Sequence, residues 1–532
     1  MSKKTKMRRR ASVTKETLER KDKFKYQLIL QGIVLGLLVG IVVGMFRFAL
    51  QKAEELRVLY IELATGNFLL TVCGIAILVF LTFVVIFSLK REPLCSGSGI
   101  PQVKGEMRGQ INANWLQVII AKFIGGVAAI GGGLALGREG PSIQLGAMVG
   151  KGFSRLNNRL RTEEKMLMSC GAGAGLSAAF GAPLAGVVFV LEELHKNFSK
   201  EVLLSTMAAA ISANCVAGSM FGLEPVFSFG EIGQMPLSRY WMVALLGVFL
   251  GCFGVFYNRM IAFMQDFYAG LKPQWLKAVI PFTLVLVLAF VWSDMLGSGH
   301  HLVGETAAGH FSLKMLAIIL VVKFVFSGFS FGTGSPGGIF LPLLVLGSIS
   351  GGLFTEAISP LCGFEEHYIG NFVILGMAGY FSAIVRAPIT GIILISEMTG
   401  SFNSLLALSI VSLVAYMTAE VLRGEPIYDQ LLERMLSGGV KKKPKRSNKV
   451  LVESEVYLGS KAEGMSLAEL ELPEGCLVVS VVRDEKEIVP RGATVLEASD
   501  RLIVLCDEYF AADLEDLLDD MCKRMLLGEE AK

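Results

Sequence analysis

The chain of 532 residues is 53% hydrophobic and 18% charged, with a mean hydropathy of +0.57. Soluble domains carry roughly a quarter charged residues, so an ordinary soluble fold is excluded and a membrane protein is expected. The net charge of +3 says little beside its placement, and no nucleic-acid partner is expected.

Residues 1–25 are polar and carry Lys3, Lys4, Lys6, Arg8, Arg9 and Arg10. They lack an apolar core followed by a cleavage site, so they do not read as a signal peptide. Their basic excess places them in the cytoplasm. Apolar stretches near the roughly 20 residues that span a bilayer recur from Tyr26 to about Arg423. The clear ones are Leu28–Leu50, Phe68–Leu89, Trp115–Leu136, Met242–Phe256, Val279–Val291 and Ser404–Leu422. With those that Gly and Pro interrupt, the chain reads as roughly ten to eighteen membrane helices, many tilted or partial. The loop from Lys151 to Lys165 (Lys151, Arg155, Arg159, Arg161, Lys165) and the basic run Lys441-Lys442-Lys443-Pro444-Lys445-Arg446 are also expected in the cytoplasm.

The chain therefore divides into a basic tail (1–25), a membrane domain (26–436), a Gly-Gly and basic linker (437–448) and a C-terminal domain (449–532). The nine cysteines are scattered and show no C-x-x-C; several, such as Cys73, Cys170 and Cys252, lie in apolar segments. They read as reduced, buried, structural thiols. His300-His301 shows no ligand spacing and reads as a loop pair near a helix start, so no metal site is expected.

The membrane domain repeats itself, in halves of roughly 26–230 and 231–436. Gly97-Ser98-Gly99 recurs as Gly297-Ser298-Gly299, an offset of 200. Lys122-Phe123 recurs as Lys323-Phe324, and Gly137, Pro141, Gly146 and Gly150 as Gly338, Pro342, Gly347 and Gly351, an offset of 201. Ser177-Ala178, Ala182-Pro183, Gly186 and Glu192 recur as Ser382-Ala383, Ala387-Pro388, Gly391 and Glu397, an offset of 205. Under this alignment Glu139 falls opposite Phe340. Broken segments in register favour an inverted repeat with a binding site at its interface.

Two glycine-rich segments carry the chemistry, Gly137-Arg138-Glu139-Gly140-Pro141 and Gly337-Gly338-Ile339-Phe340-Leu341-Pro342. Each leads into an apolar helical stretch. A helix start offers free N–H groups and about half a positive charge. Several converging starts make an anion site without a full positive charge. The plain alternative is glycines that serve only helix packing. Glu139 is a carboxylate at membrane depth and must pair, protonate or face water. Either Arg138 neutralises it in a structural ion pair, or it occupies the anion position when charged and vacates it when protonated, coupling a proton to an anion. Glu192-Glu193 ends the segment Pro183–Leu194 and either meets water or relays protons towards Glu139. No phosphate-binding G-x-x-x-x-G-K-[ST] and no voltage-sensor pattern is present, so active transport is expected to be ion-driven.

At Gly97-Ser98-Gly99-Ile100-Pro101, Gly137–Pro141 and Gly337–Phe340 with Pro342, the chain resembles the CLC family of chloride channels and chloride/proton exchangers. The resemblance implies an all-α, polytopic, inverted-repeat helical bundle and a homodimer in the lipid bilayer of a plasma membrane. Both termini would be cytoplasmic, and chloride and protons would be the transported species, with no cofactor and no enzymatic activity. It further implies chloride binding by the Ser98 hydroxyl and by the backbone N–H groups of Ile339, Phe340 and Gly140. Glu139 would be the external gate and proton-coupling residue, Glu193 the internal proton-transfer residue, and Tyr428, placed before the last membrane helix, the closure on the inner side. Ser98, where nitrate-preferring members carry proline, favours chloride; Glu193 favours an exchanger. A passive chloride channel, or an anion-binding sensor, are the alternatives.

Residues 450–457, 476–483, 487–490 and 501–506 read as short strands, with a helix from about Phe510 to Met525. This small cytoplasmic α+β domain resembles the C-terminal subdomain of RCK/TrkA regulators of potassium transport. The matching residues are Gly464-Met465-Ser466-Leu467, Glu469-Leu470, Arg483, Pro490 and Ser499-Asp500-Arg501-Leu502. That resemblance implies dimerisation and a small regulatory ligand, a cyclic dinucleotide or other nucleotide, at 449–532.

Overall fold

The structure is a computed structural model. It describes residues 3–522 apart from 158–160, 197–198, 228, 230–232, 234, 273–274, 363–367, 438–448, 471, 474, 484–485 and 508–510, with side chains from Gln27 onward. The expectations for the basic tail's side chains, for Arg159 and for most of the 437–448 linker lie outside the described residues. The chain forms two units, 1–440 and 441–532.

No glycine or proline occurs before Gly32, and the first helix, α1 (Lys3–Ala64), runs through position 25 without a break. It is followed by α2 (Phe68–Arg91), α3 (Ile100–Met107), α4 (Trp115–Gly131), α5 (Glu139–Leu156), α6 (Arg161–Phe180), α7 (Pro183–Phe189) and α8 (Lys200–Phe221). A π-helical turn, Val190–His195, continues α7. The second series is α9 (Tyr240–Gly270), α10 (Leu276–Val291), α11 (His300–Ala307), α12 (Leu313–Gly332), α13 (Phe340–Cys362), α14 (Ile369–Val385), α15 (Pro388–Thr399), α16 (Leu405–Val421) and α17 (Ile427–Leu436). Among the described residues, six helices are long and apolar enough to cross a membrane, including the Gln27–Ala64 part of α1, α2, α12 and the Phe340–Ser359 part of α13. This is a polytopic membrane protein.

The two series pack alike. α5 lies on α6 and α13 on α14, while α1 covers α8 and α9 covers α16. The helix pairs approach at equivalent glycines. A Cβ on Gly146 would strike the Gly171 carbonyl, and one on Gly347 the Gly376 carbonyl, so the backbones touch as small-residue membrane packing requires.

Two sequence expectations change. Lys151 is not in a loop: it is buried in α5, where its Nζ donates to both Glu106 carboxylate oxygens (2.7 and 2.6 Å) and to Ala113 O (2.8 Å). Of the cysteines, all read as buried, Cys95, Cys170, Cys506 and Cys522 are; Cys73, Cys215 and Cys252 are exposed, because an apolar helix in a bilayer also has an apolar exterior.

In the second unit, β1 (Lys449–Glu455), β2 (Leu477–Arg483), β3 (Lys486–Ile488) and β4 (Arg501–Asp507) form one antiparallel sheet in the order β1-β4-β2-β3. Helix α18 (Ala511–Cys522) follows, and Leu514 and Leu518 join Val481, Leu502 and Val504 in the core. Arg483 clamps Asp500 through Nε and Nη2, both at 2.7 Å. Burial pushes the Asp500 carboxyl up, but Arg483 and the Glu497 N–H outweigh it and hold Asp500 below its ordinary range.

Candidate functional site

The glycine-rich segments of the two series meet face to face. Gly97 N–H donates to Gly334 O at 2.9 Å, and the equivalent Gly297 N–H donates to Gly133 O at 2.8 Å. Gly337 N–H returns a bond to Gly97 O at 3.0 Å. Gly137 and Gly338 donate to each other's carbonyls at 2.6 and 2.7 Å, in an antiparallel bridge. Antiparallel pairing of equivalent residues is what a two-fold axis relating oppositely directed repeats demands.

Two buried lysines brace these segments from behind. Lys122 Nζ donates to Cys95 O (2.9 Å) and Gly97 O (2.6 Å); Lys323 Nζ donates to Met295 O (2.9 Å) and Gly297 O (3.0 Å). The Lys-Phe repeat in the sequence is therefore structural. His300, read from the sequence as a loop residue, begins α11 and stacks on Phe227 with ring centroids 4.6 Å apart.

The helix starts are then fixed. Gly99, at φ +94°, turns the chain into α3, and Pro101 sits in its first turn. α5 begins at Glu139 and α13 at Phe340, so the residues that the repeat places opposite each other occupy equivalent helix starts. Glu139 is fully buried and makes no well-formed hydrogen bond. Its carboxylate folds back over Gly137: a Cβ there would strike Oε2 and lie 3.0 Å from Leu341 N. The acid therefore rests against the first turn of α13, where Leu341 N–H faces it. Arg138 Nε stands 3.8 Å from Oε1, an ion pair too long for a hydrogen bond.

Ser98 packs directly on the start of α5, since a Cβ on Gly140 would strike both Ser98 Oγ and its carbonyl. The Ser98 and Tyr428 hydroxyls are buried without a hydrogen-bond partner among the described residues. Tyr428 lies within electrostatic reach of Glu139 and Glu193. It is the second residue of α17 rather than preceding that helix, because Pro426 caps the start and the chain turns helical at Ile427. Ile339 and Phe340 are fully buried, and the Phe340 ring packs between Phe180 (5.4 Å) and Phe381 (4.9 Å). Unpaired buried hydroxyls, glycines and helix starts in one place can take a desolvated anion.

Glu192 and Glu193 part ways. Glu193 accepts from Lys104 Nζ at 2.7 Å, and the same Nζ lies 2.8 Å from Asp429 Oδ1. Glu192 instead caps α15, accepting from Ile389 N (3.1 Å), Thr390 N (2.7 Å) and Thr390 Oγ1 (2.7 Å). Its repeat mate Glu397 caps α7, accepting from Leu184 N (3.0 Å) and Ala185 N (2.7 Å). Sequence reasoning missed these reciprocal caps, although the Glu192/Glu397 match was the signal. It also missed Lys104 and Asp429, whose only sign was charge beside Ser98 and Tyr428. A cavity of about 310 Å³ lined by Glu192, Glu193, Lys196, Arg386 and Glu420 reaches this acidic pair. Another, of about 380 Å³ and lined by Gln102, Tyr268, Lys277 and Arg434, reaches Ser98. A larger apolar one of about 750 Å³, among Leu56, Tyr60, Phe80 and Phe290, includes none of these residues.

The family model described as voltage gated chloride channel matches residues 80–420, and the TrkA-C domain model matches 451–518. The chain is 36% identical over 432 residues to the H(+)/Cl(-) exchange transporter ClcA of Vibrio cholerae serotype O1, covering 78% of this chain and 91% of that protein. It is 33% identical over 444 residues to ClcA of Salmonella paratyphi B, covering 81% and 93%. Among solved structures, a slow cyanobacterial Cl-/H+ antiporter aligns with a TM-score of 0.73 at 29% identity over 79% of this chain and 99% of that one. A eukaryotic CLC transporter aligns with a TM-score of 0.64 at 21% identity, over 85% and 79%, and shares the fold.

Proposed function

Because the chain belongs to the voltage gated chloride channel family, we propose that it is a secondary active antiporter exchanging chloride for protons. The observation that carries this is the Glu139 carboxylate, fully buried and lying against the start of α13. A helix start binds an anion and a carboxylate alike. A charged Glu139 therefore excludes chloride there. A protonated one has no claim on the place and leaves it open. Chloride is taken by the Ser98 and Tyr428 hydroxyls and the N–H groups of Gly140, Ile339 and Phe340. Glu193 passes protons from the inner side. The reading is of a homodimer in the plasma membrane with both termini cytoplasmic and no enzymatic activity or cofactor. It takes the domain at 449–532 as the seat of a small regulatory ligand, a nucleotide by class.

The ion pair of Glu193 with Lys104 favours one second reading, a passive chloride pathway in which Glu193 is structural. Proton movement in sealed liposomes under an imposed chloride gradient separates the two, with the membrane potential set so that leak runs the other way. Uphill proton flow is expected. Chloride flux without it would leave the passive pathway.

A further inference from the structure

Lys104 is the fifth residue of α3, the helix that the Ser98 segment leads into, and its side chain is completely buried. Its ammonium touches carboxylates from two other elements, Glu193 on the π-helical turn and Asp429 on α17. A buried cation of this kind is held in place by its partners, since neither charge can lose the other without a large cost. The partners are unequal. Asp429 also meets Arg108 at 3.2 Å and Lys196 at 2.9 Å. Glu193 has Lys104 alone as its ion-pair partner among the described residues.

We propose that Lys104 is a positioning residue for the inner proton step, a fixed post that holds Glu193 charged and in place and stays behind on Asp429 when Glu193 takes a proton. The inference rests on the exchange reading above and goes beyond it by assigning the group that sets when Glu193 protonates. The geometry makes the two outcomes different. When Glu193 is protonated its share of the ammonium is lost, but Asp429 still anchors Lys104 and the start of α17. Glu193 is then free to move, while Tyr428, one residue before Asp429, keeps its seat. Among the described residues, Tyr428 also lies within electrostatic reach of Glu193. Lys196 follows the π-helical turn, and Arg108 shares α3. Arg386 and Glu420 line the cavity at Glu193, and Glu192 is committed to α15. His195 is bonded to Ser169 of α6 at 2.6 Å, and Lys200 lies exposed at the start of α8.

The test is an infrared difference titration of the full-length protein in lipid, following the protonated-carboxyl band that Glu193→Gln removes. In Lys104→Met the carboxylate loses its cation, and the midpoint should rise by about one pH unit or more. In Asp429→Asn the ammonium belongs to Glu193 alone and a neighbouring negative charge is gone, so the midpoint should fall. Lys104→Arg should stay near the wild type. An unchanged midpoint in Lys104→Met, or a rise in Asp429→Asn, would overturn the proposal. Should Lys104→Met fail to fold, the direction of the Asp429→Asn shift decides alone. The band reports the charge of Glu193 whether or not protons cross the membrane. Absent uphill proton flux in the wild type would therefore count against the exchange reading only.

Discussion

The first repeat opens α5 with Glu139 and Gly140; the second opens α13, at the same places in the frame, with Phe340 and Leu341. Around these positions most of the bonds recur in both halves. Lys122 and Lys323 hold equivalent carbonyls, Glu192 and Glu397 cap each other's partner helices, and Gly137 pairs with Gly338. A duplicated scaffold thus supplies two helix starts facing one place, and only one of them carries a titratable group. Symmetry serves position, and its local failure supplies the chemistry.

The contrast is sharpest at Glu139. Glu139→Gln should abolish proton coupling while chloride still passes, whereas Phe340→Leu, at the matched position, should keep coupling because its proposed donor is backbone. Paired chloride and proton flux measurements check both, and coupled protons in Glu139→Gln would remove Glu139 as the shared gate. Next in size is Gly140→Ala. Its Cβ would meet Ser98 Oγ and the Ser98 carbonyl, so chloride flux should fall by about tenfold or more, backbone contacts yielding poorly. Leu341→Ala at the matched place should leave a working protein.

The symmetric parts should respond nearly alike. Lys122→Met strands Cys95 O alone, since Gly97 O keeps the Gly337 N–H, whereas Lys323→Met strands two buried carbonyls, so the losses should be about 2 and about 3 kcal/mol of stability. Thermal unfolding in detergent reads this, and a much larger loss in one of them would show that the frame is less even than its bonds. The smallest pair is Glu192→Gln and Glu397→Gln, about 1 kcal/mol each for a weakened helix cap, with transport retained. If Glu192→Gln slowed proton flux while Glu397→Gln did not, Glu192 would act beyond its cap.

Periodicity and spacing exposed most of the frame. The offsets of 200, 201 and 205 paired residues that the structure also pairs, and the strand-rich tail folded as a sheet close to the read limits. The candidate site was legible where it was local in sequence: the proposed residues Ser98, Glu139, Gly140, Ile339 and Phe340 stand in short motifs at helix starts. It was illegible where it depended on tertiary contact. Lys104 and Glu193 are 89 positions apart, and no local pattern distinguishes a lysine that pairs in the interior from one that reaches water. Glu192 looked like a charge at a helix end for the same reason. Tyr428 was misplaced by one boundary, since a proline that ends one element also starts the next.

The antiparallel joint at Gly137 and Gly338 has a mechanical consequence. Five backbone hydrogen bonds among the described residues tie the halves together where their glycine-rich segments meet. Rocking one half against the other would shear all of them, at roughly 1–3 kcal/mol for each buried group left unpaired. Swinging a single carboxylate breaks none. The seam thus resists rocking of the two halves, and under the exchange reading proposed above the movement of side chains costs less than movement of the backbone.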